Sequence, residues 1–217
     1  MLPRIPAALG AVLATLVPAA GAHAGAVTLD RSCYVEDSTM VATGSGFKPG
    51  SQLTLSGDGA SQTATADESG AFQVSVKVPG NPSIAARPSS IVSYTLNVQD
   101  AGDAAQNTSV GYQVANYAAE RGQSSSPRKK RMWYFSGFEP GKPIYAHFRY
   151  HGRTQADYRM GTAQGPCGTL SRRAPGIVAR HLKAGRWTIQ VDQVKAYNVL
   201  TTPALIFKTT LYMTRRR

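Results

Sequence analysis

The chain has 217 residues, a formal net charge of +12 and only two cysteines. The N-terminus contains an apolar leader. After its removal about 190 residues remain, which is enough for one large domain or two domains of about 90 residues each. No segment after the leader approaches the roughly 18 consecutive apolar residues of a membrane-spanning helix. The composition therefore predicts no transmembrane span.

The first 24 residues are predicted to be a secretory signal peptide. Arg4 precedes an apolar stretch over residues 5–20, and Ala22-His23-Ala24 has the small residues of a cleavage site. We therefore expect an exported protein, secreted or associated with the cell surface, whose mature chain begins near Gly25.

The mature sequence contains a repeat. Gly46-Phe47-Lys48-Pro49-Gly50 recurs as Gly137-Phe138-Glu139-Pro140-Gly141, and each copy has an apolar run before it and an alternating run after it. This is the pattern of a strand, a Pro-Gly turn and a second strand. Ser69-Gly70-Ala71-Phe72 and Cys167-Gly168-Thr169-Leu170 recur in the same order further along. The repeat predicts two similar β-modules in tandem.

Short alternating runs fill both copies. In the first copy we predict strands at residues 39–43, 52–55, 62–66, 71–78, 91–98 and 109–115. In the second copy we predict strands at residues 132–136, 144–150, 154–159, 168–172, 186–192 and 204–214, with a short helical turn at 177–183. Apolar residues alternate with polar ones along these runs, which favours strands with one face in a core. The pattern predicts an all-β protein built from antiparallel β-sandwiches.

Charge separates the two copies. Residues 25–117 contain four basic and eight acidic side chains, a net charge of −4, whereas residues 118–217 contain nineteen basic and four acidic side chains, a net charge of +15. The Ser-, Pro- and Arg-containing segment 118–130 interrupts the strand pattern. We therefore predict an acidic module at 25–117, a basic linker at 118–130 and a basic module at 131–217.

Two stretches of the first copy resemble the bacterial immunoglobulin-like repeats of secreted and cell-surface proteins. Residues 41–50 contain the glycine-aromatic-x-Pro-Gly turn, and residues 66–72 contain the Gly-x-aromatic strand entry, that are common in that family. The second copy resembles the family at residues 137–141, 168–170 and 184–188. The resemblance implies two tandem immunoglobulin-like β-sandwich modules that act as spacer, adhesion or ligand-binding units, without catalytic residues. The chain also resembles secreted actinobacterial proteins of similar layout.

The basic module combines arginine with aromatic residues. If Ile144, Ala146 and Phe148 face the core, the alternate residues of that strand lie on its outer face. The predicted ligand-binding residues are these outer residues and nearby arginines: Tyr145, His147, Arg149, His151, Arg153, Arg159, Arg172 and Arg173. Arg suits phosphate and carboxylate groups, so the surface predicts binding of an acidic envelope polysaccharide or another polyanion. The alternatives are that the basic composition reflects solubility alone, or that the acidic module docks on the basic one.

Other partners and cofactors have less support in the sequence. A protein partner would also fit a surface module, whereas no nucleic-acid-binding motif accompanies the positive charge. His147, His151 and His181 lack zinc-ligand spacing, and no phosphate-cradling or calcium-binding loop is present. We therefore predict no metal and no cofactor.

The two cysteines allow two hypotheses. Export to an oxidising compartment makes Cys33 and Cys167 a candidate disulfide that would join the modules, and otherwise each is a free or buried thiol. A free Cys167 with His151 upstream gives a faint likeness to the L,D-transpeptidases, in which a cysteine is the nucleophile of a cell-wall enzyme. No His stands just before Cys167, so we favour a non-catalytic surface or matrix protein.

Overall fold

The computed structural model describes residues 25–58, 60–80, 90–123 and 126–212. The predicted signal peptide lies outside these residues. The described strands are β1 (Ala26–Leu29), β2 (Cys33–Val35), β3 (Thr39–Ser45), β4 (Gln52–Gly57), β5 (Ala60–Thr65), β6 (Phe72–Lys77), β7 (Ile91–Asp100), β8 (Thr108–Ala115), β9 (Ala118–Arg121), β10 (Lys130–Ser136), β11 (Pro143–Tyr150), β12 (Arg153–Thr162), β13 (Leu170–Pro175), β14 (Gly185–Asp192) and β15 (Leu205–Leu211). No helix in these ranges is long and apolar enough to cross a membrane.

The N-terminal half, residues 25–117, contains two sheets. One has three strands in the order β1-β3-β6, and the other has five in the order β2-β8-β7-β4-β5. All pairs are antiparallel except β2 with β8. Their inner faces enclose one apolar core, which includes Met40, Phe47, Leu53, Leu55, Phe72, Leu96 and Val98. This is a β-sandwich, in which each sheet removes one apolar face from water.

The C-terminal half, residues 118–212, repeats the arrangement with fewer strands. A three-stranded sheet has the order β9-β10-β13, and a four-stranded sheet has the order β12-β11-β14-β15. The core between them includes Trp133, Phe135, Phe138, Phe148, Trp187 and Ile189. Among the described residues, no strand of one half pairs with a strand of the other. The predicted all-β sandwich fold is confirmed, while the two-domain division stays a prediction.

The linker prediction needs a correction. Ala118–Arg121 is strand β9, paired with β10 in register Trp133↔Arg121, and Ala118 and Ala119 are buried. Residues 122–129 therefore connect two strands of one sheet, and only Asn116 and Tyr117 lie between β8 and β9. Of the described residues in this connection, Gln123, Ser126, Arg128 and Lys129 are exposed.

Other elements were missed or assigned wrongly. Strands β1 and β2 have three or four residues each and were not predicted, because their alternation is too short to detect. The helical turn predicted at 177–183 is wrong: that segment has irregular backbone with bends.

The repeated turn has the same hydrogen bonds in both halves. Gly50 N donates to Ala66 O at 2.9 Å, and Gly141 N donates to Ala163 O at 2.9 Å. Further along, Gly70 (φ +76°) and Gly168 (φ +57°) pass against the phenylalanine of each turn. A Cβ there would lie 2.1 Å from the carbonyl oxygen of Phe47 and 1.6 Å from that of Phe138. Both positions therefore require glycine.

A disulfide joins the halves. Cys33 in β2 and Cys167 before β13 are bonded, with an Sγ–Sγ distance of 2.04 Å, and both are buried with Ala115. The predicted pairing is confirmed. Because Cys167 has no free thiol in this structure, the hypothesis that Cys167 is a catalytic nucleophile is wrong.

Candidate ligand-binding face

The candidate site is the outer face of the sheet β12-β11-β14-β15, which we call the outer sheet face. Ile144, Ala146 and Phe148 are buried in the core, as predicted, so the alternate residues of β11 lie on the other side. Strand register puts four rows of side chains across this face. The rows are Arg159–Tyr145–Asp192, Asp157–His147–Gln190–Ile206, Thr154–Arg149–Thr188–Lys208 and Arg186–Thr210.

His147 occupies the middle of this face. Its Nδ1 lies 2.6 Å from Asp157 Oδ1 and its Nε2 lies 3.1 Å from Asp192 Oδ1. A neutral imidazole carries one N–H, so both contacts are hydrogen bonds only if a second proton is shared among the three groups. The expectation that His147 is exposed is wrong, because its side chain is fully buried.

Residues 193–204, which we call the covering loop, explain this burial. Asp192 Oδ1 accepts a hydrogen bond from Val194 N at 2.8 Å, at the start of the loop. Gln190 Nε2 donates to Asp192 Oδ2 at 2.8 Å and to Asn198 O at 2.9 Å, in the middle of the loop. The loop thus lies over polar groups that would otherwise face water.

Tyr197 of the covering loop packs on the same cluster. Arg149 Nη1 donates to Tyr197 Oη at 2.6 Å, and the guanidinium carbon lies 3.9 Å from the ring centroid. The ring meets His147 edge-on at 6.0 Å between centroids. Arg149, predicted as a ligand-binding residue, therefore holds the loop and is half-buried.

Four other predicted residues lie on β11, on β12 or in the turn between them. Tyr145 is half-buried, with its ring nearly parallel to that of His147 at 6.4 Å. Arg159 is exposed directly opposite Tyr145 and donates from Nη2 to Thr162 Oγ1 at 3.0 Å. His151, at φ +46°, is in the turn between β11 and β12, and Arg153 begins β12; both are exposed.

The last two predicted residues lie elsewhere. Arg172 Nη1 donates to the carbonyl oxygens of Arg159, at 3.2 Å, and of Met160, so it joins β13 to β12 at the side of the sandwich. Arg173 is exposed on the other sheet, opposite Met132 in β10. The eight predicted residues therefore do not form one continuous site.

Several arginines of the basic half serve its packing. Arg121 Nη1 donates to Gly176 O at 3.3 Å, and Arg131 Nη1 donates to Gly122 O at 3.2 Å. Burial lowers the pKa of both guanidinium groups. In contrast, Arg159, Arg186 and Lys208 are exposed and form no ion pair with a described carboxylate. These three cations are available to a ligand.

The sequence did not point to Asp157, Gln190, Asp192 or Tyr197 as parts of the site. Alternation in residues 186–192 put Gln190 and Asp192 on the non-core face, where polar residues are expected in water. The covering loop buries His147, Gln190 and Asp192 of that face, while Asp157 stays partly exposed. Asp157 and Asp192 are far apart in the sequence, so no local pattern predicts that both contact His147.

The buried cluster does not resemble a metal site. Asp157 and Asp192 contact opposite nitrogens of the His147 ring, so the three side chains do not converge on one position where a metal ion could bind. Across the described ranges, no group of three or more His, Cys, Asp and Glu side chains could hold a metal ion.

No protein-family model matches the sequence, and comparison with curated proteins gives no significant match. Among solved structures, a tetra-tandem repeat in the extending region of a large adhesion protein is 12% identical with a TM-score of 0.29, over 85% of this chain and 47% of that chain. Salmonella alpha-2-macroglobulin is 11% identical with a TM-score of 0.30, over 89% of this chain and 15% of that chain. The E. coli chaperone DraB is 10% identical with a TM-score of 0.29, over 87% of this chain and 100% of that chain. The chain thus spans about half of the adhesion-protein structure and a small part of the macroglobulin. Similarity at this level carries no information about a ligand.

Proposed function

We propose that this protein is an exported, non-catalytic binding protein whose C-terminal half binds an anionic polymer on the outer sheet face. The observation that supports this most directly is the presence of three exposed cations, Arg159, Arg186 and Lys208, without carboxylate partners on that face. The half-buried Tyr145 is paired with Arg159, and the half-buried Tyr197 packs on Arg149 of the same face.

The spacing of these cations favours a polymer. They are on β12, β14 and β15, and the register puts the row of Arg159 six residues from that of Arg186, about 20 Å along the strands, with Lys208 in a row between them. One exposed ion contact contributes at most about 1 kcal/mol, so a single anionic group would bind weakly. A chain of repeated phosphate or carboxylate groups contacts several cations at once. Once the first contact has formed, the others form within the same complex, which raises the overall affinity.

Export is also part of the proposal. The signal peptide is predicted from residues 1–24, and a buried disulfide is typical of proteins in oxidising compartments. The bond at Cys167 supports the non-catalytic part, since it occupies the thiol that a cysteine-dependent enzyme would need.

The test uses the mature chain, residues 25–217, with polygalacturonate and poly(glycerol phosphate) as probes. The triple variant Arg159→Gln/Arg186→Gln/Lys208→Gln removes three charges from the outer sheet face. The control Lys129→Gln/Lys130→Gln/Arg173→Gln removes three exposed charges elsewhere in the same half. We expect the first variant to weaken binding about tenfold, at about 0.5 kcal/mol per contact, and the control about threefold or less.

Titration calorimetry across a salt series gives the readout. Binding should weaken steeply as salt screens the exposed charges. Equal losses in the two variants would show attraction to net charge alone, and would contradict a site on the outer sheet face.

A further inference from the structure

Three exposed apolar residues, Val199 and Leu200 in the middle of the covering loop and Ile206 in β15, form what we call the apolar tip. Val199 is 73% exposed, Leu200 is 82% exposed and Ile206, on the outer face of β15, is 63% exposed. Ile206 is paired with Gln190, whose side chain binds the carbonyl of Asn198 next to Val199. Three large aliphatic side chains therefore share one region of the surface.

Local structure does not require aliphatic residues at this tip. Thr201 N donates to Asn198 O at 3.2 Å, and Leu200 N donates to Asn198 Oδ1 at 2.9 Å. Val199 and Leu200 are thus the central residues of a turn that Asn198 stabilises. Turns favour Gly, Pro, Asn, Asp and Ser at such positions. Burial of Val199 and Leu200 against a binding partner would account for aliphatic residues at these turn positions.

The base of the tip is fixed on the sheet. Tyr197 is bonded to Arg149, Asn198 O accepts from Gln190, and Pro203 O accepts a hydrogen bond from Tyr117 Oη at 3.1 Å. The apolar residues are therefore held in one position before they meet a partner, which lowers the ordering cost of binding.

Positive charge accompanies the tip. Lys195 is exposed in the same loop, and Lys208 is exposed on the same face as Ile206. The nearby carboxylates are engaged within the protein, since Asp192 is fully buried and Asp157 is bonded to His147. The partner should therefore offer an apolar phase next to negative charge.

We propose that this tip docks on the surface of an anionic lipid membrane. Val199 and Leu200 enter the boundary between headgroups and acyl chains, while Lys195 and Lys208 contact lipid phosphates. A membrane interface combines an apolar layer with anionic groups, whereas a soluble anionic polymer has no apolar layer. This inference adds a second partner to the proposed function and is tested separately from it.

The test is co-sedimentation of the mature chain with phosphatidylcholine vesicles, with and without phosphatidylglycerol. We expect binding to the anionic vesicles, and at least about tenfold weaker binding for Val199→Ser/Leu200→Ser, because two aliphatic side chains no longer leave water. Tyr212→Ser removes an apolar side chain that is 88% exposed at the other end of β15, and it should bind like the wild type.

A second measurement follows the tip itself. The emission of a Leu200→Trp variant should shift to the blue with anionic vesicles, with no shift for phosphatidylcholine alone. Absence of wild-type sedimentation with anionic vesicles, or equal sedimentation of the double serine variant, would overturn the proposal. Self-association of the wild type that the double variant abolishes would overturn it in favour of a second copy of this chain.

The two proposals fail separately. The double serine variant should bind polygalacturonate as well as the wild type does, since Arg159, Arg186 and Lys208 are unchanged. An equal loss of polymer binding in that variant would overturn the assignment of the tip to lipid.

Discussion

The two halves place different residues at the same positions of a similar sheet. Ser56 in β4 lies between Ser61 and Asn97 of its neighbouring strands, and these residues are exposed or half-buried. His147 stands at the same distance from the repeated turn and lies between Asp157 and Gln190. The first trio faces water, whereas in the second His147 and Gln190 are buried under the covering loop.

The loops that follow β7 and β14, the strands that carry Asn97 and Gln190, explain this difference in burial. In the N-terminal half, residues 101–107 lead from β7 to β8, while in the C-terminal half the longer segment 193–204 leads from β14 to β15. A loop that covers polar side chains must leave them hydrogen-bonded, since an unpaired buried polar group is costly. The His147 cluster supplies those bonds and also holds the loop that displays Val199 and Leu200.

The largest expected effect comes from breaking this cluster. His147→Ala removes the fully buried ring that bridges Asp157 and Asp192, and the loss of this buried hydrogen-bond network should cost about 3 kcal/mol of unfolding free energy. The matched variant Ser56→Ala, at the equivalent half-buried position, should cost about 0.5 kcal/mol or less. The cost of His147→Ala is measured by urea unfolding, with the fluorescence of Trp133 and Trp187 as the signal, because both tryptophans lie in the C-terminal core. Similar costs for the two variants would mean that the cluster does not stabilise the fold.

The disulfide tests how far the halves depend on each other. It links residues 134 positions apart, so Cys33→Ser/Cys167→Ser should cost about 4 kcal/mol through the larger entropy of the unfolded chain. The wild type in reductant is the control and should show the same loss. An unchanged midpoint in urea for either sample would contradict a stabilising role for the bond.

Much of this architecture could be predicted from the sequence, but the candidate site could not. Alternation placed the core and outer residues of β11 and β14 correctly, and with two cysteines only one pairing exists. Strand β9 was missed because Ala-Ala-Glu-Arg has little β-propensity and is set by its pairing with β10. The burial of His147 depends on hydrogen bonds between Gln190, Asp192 and the covering loop, and no local pattern encodes them.

A smaller effect tests the equivalence of the repeated turns. Gly168→Ala puts a Cβ against the Phe138 carbonyl at a positive φ and should cost about 3 kcal/mol, and Gly70→Ala should cost nearly as much in the other half. Gly141→Ala also has a positive φ, but nothing lies within 4 Å of its Cβ, so it should cost about 1 kcal/mol. Thermal unfolding of the three variants gives the order. A Gly168→Ala protein as stable as Gly141→Ala would contradict the close approach.

The smallest expected effect is acid sensitivity of the turn around Asp67 in the N-terminal half. The Ser69 hydroxyl, followed by the backbone N–H groups of Ala71 and Ser69, holds the pKa of Asp67 below its ordinary value of 3.8. A lowered pKa in the folded state stabilises the fold above the ordinary value, and this contribution is lost as the pH falls through the folded-state pKa. Gln164, which makes the equivalent backbone hydrogen bond in the other turn, does not titrate.

Amide hydrogen exchange at residues 60–80, measured from neutral to acidic pH, tests this difference. Protection should fall with acid in the wild type and change less in Asp67→Asn, whose side chain does not ionise. The same pH dependence in both proteins would show that Asp67 does not contribute.

The central claim is that the basic half binds anionic polymer on its outer sheet face, and lysine footprinting tests it most directly. Acetylation rates are measured with and without polygalacturonate for Lys208 on that face and for Lys48 and Lys77, which are exposed in the N-terminal half. We predict that the polymer slows acetylation of Lys208 several-fold and leaves Lys48 and Lys77 unchanged. Unchanged modification of Lys208 while the polymer is bound, or equal protection of all three lysines, would contradict the claim.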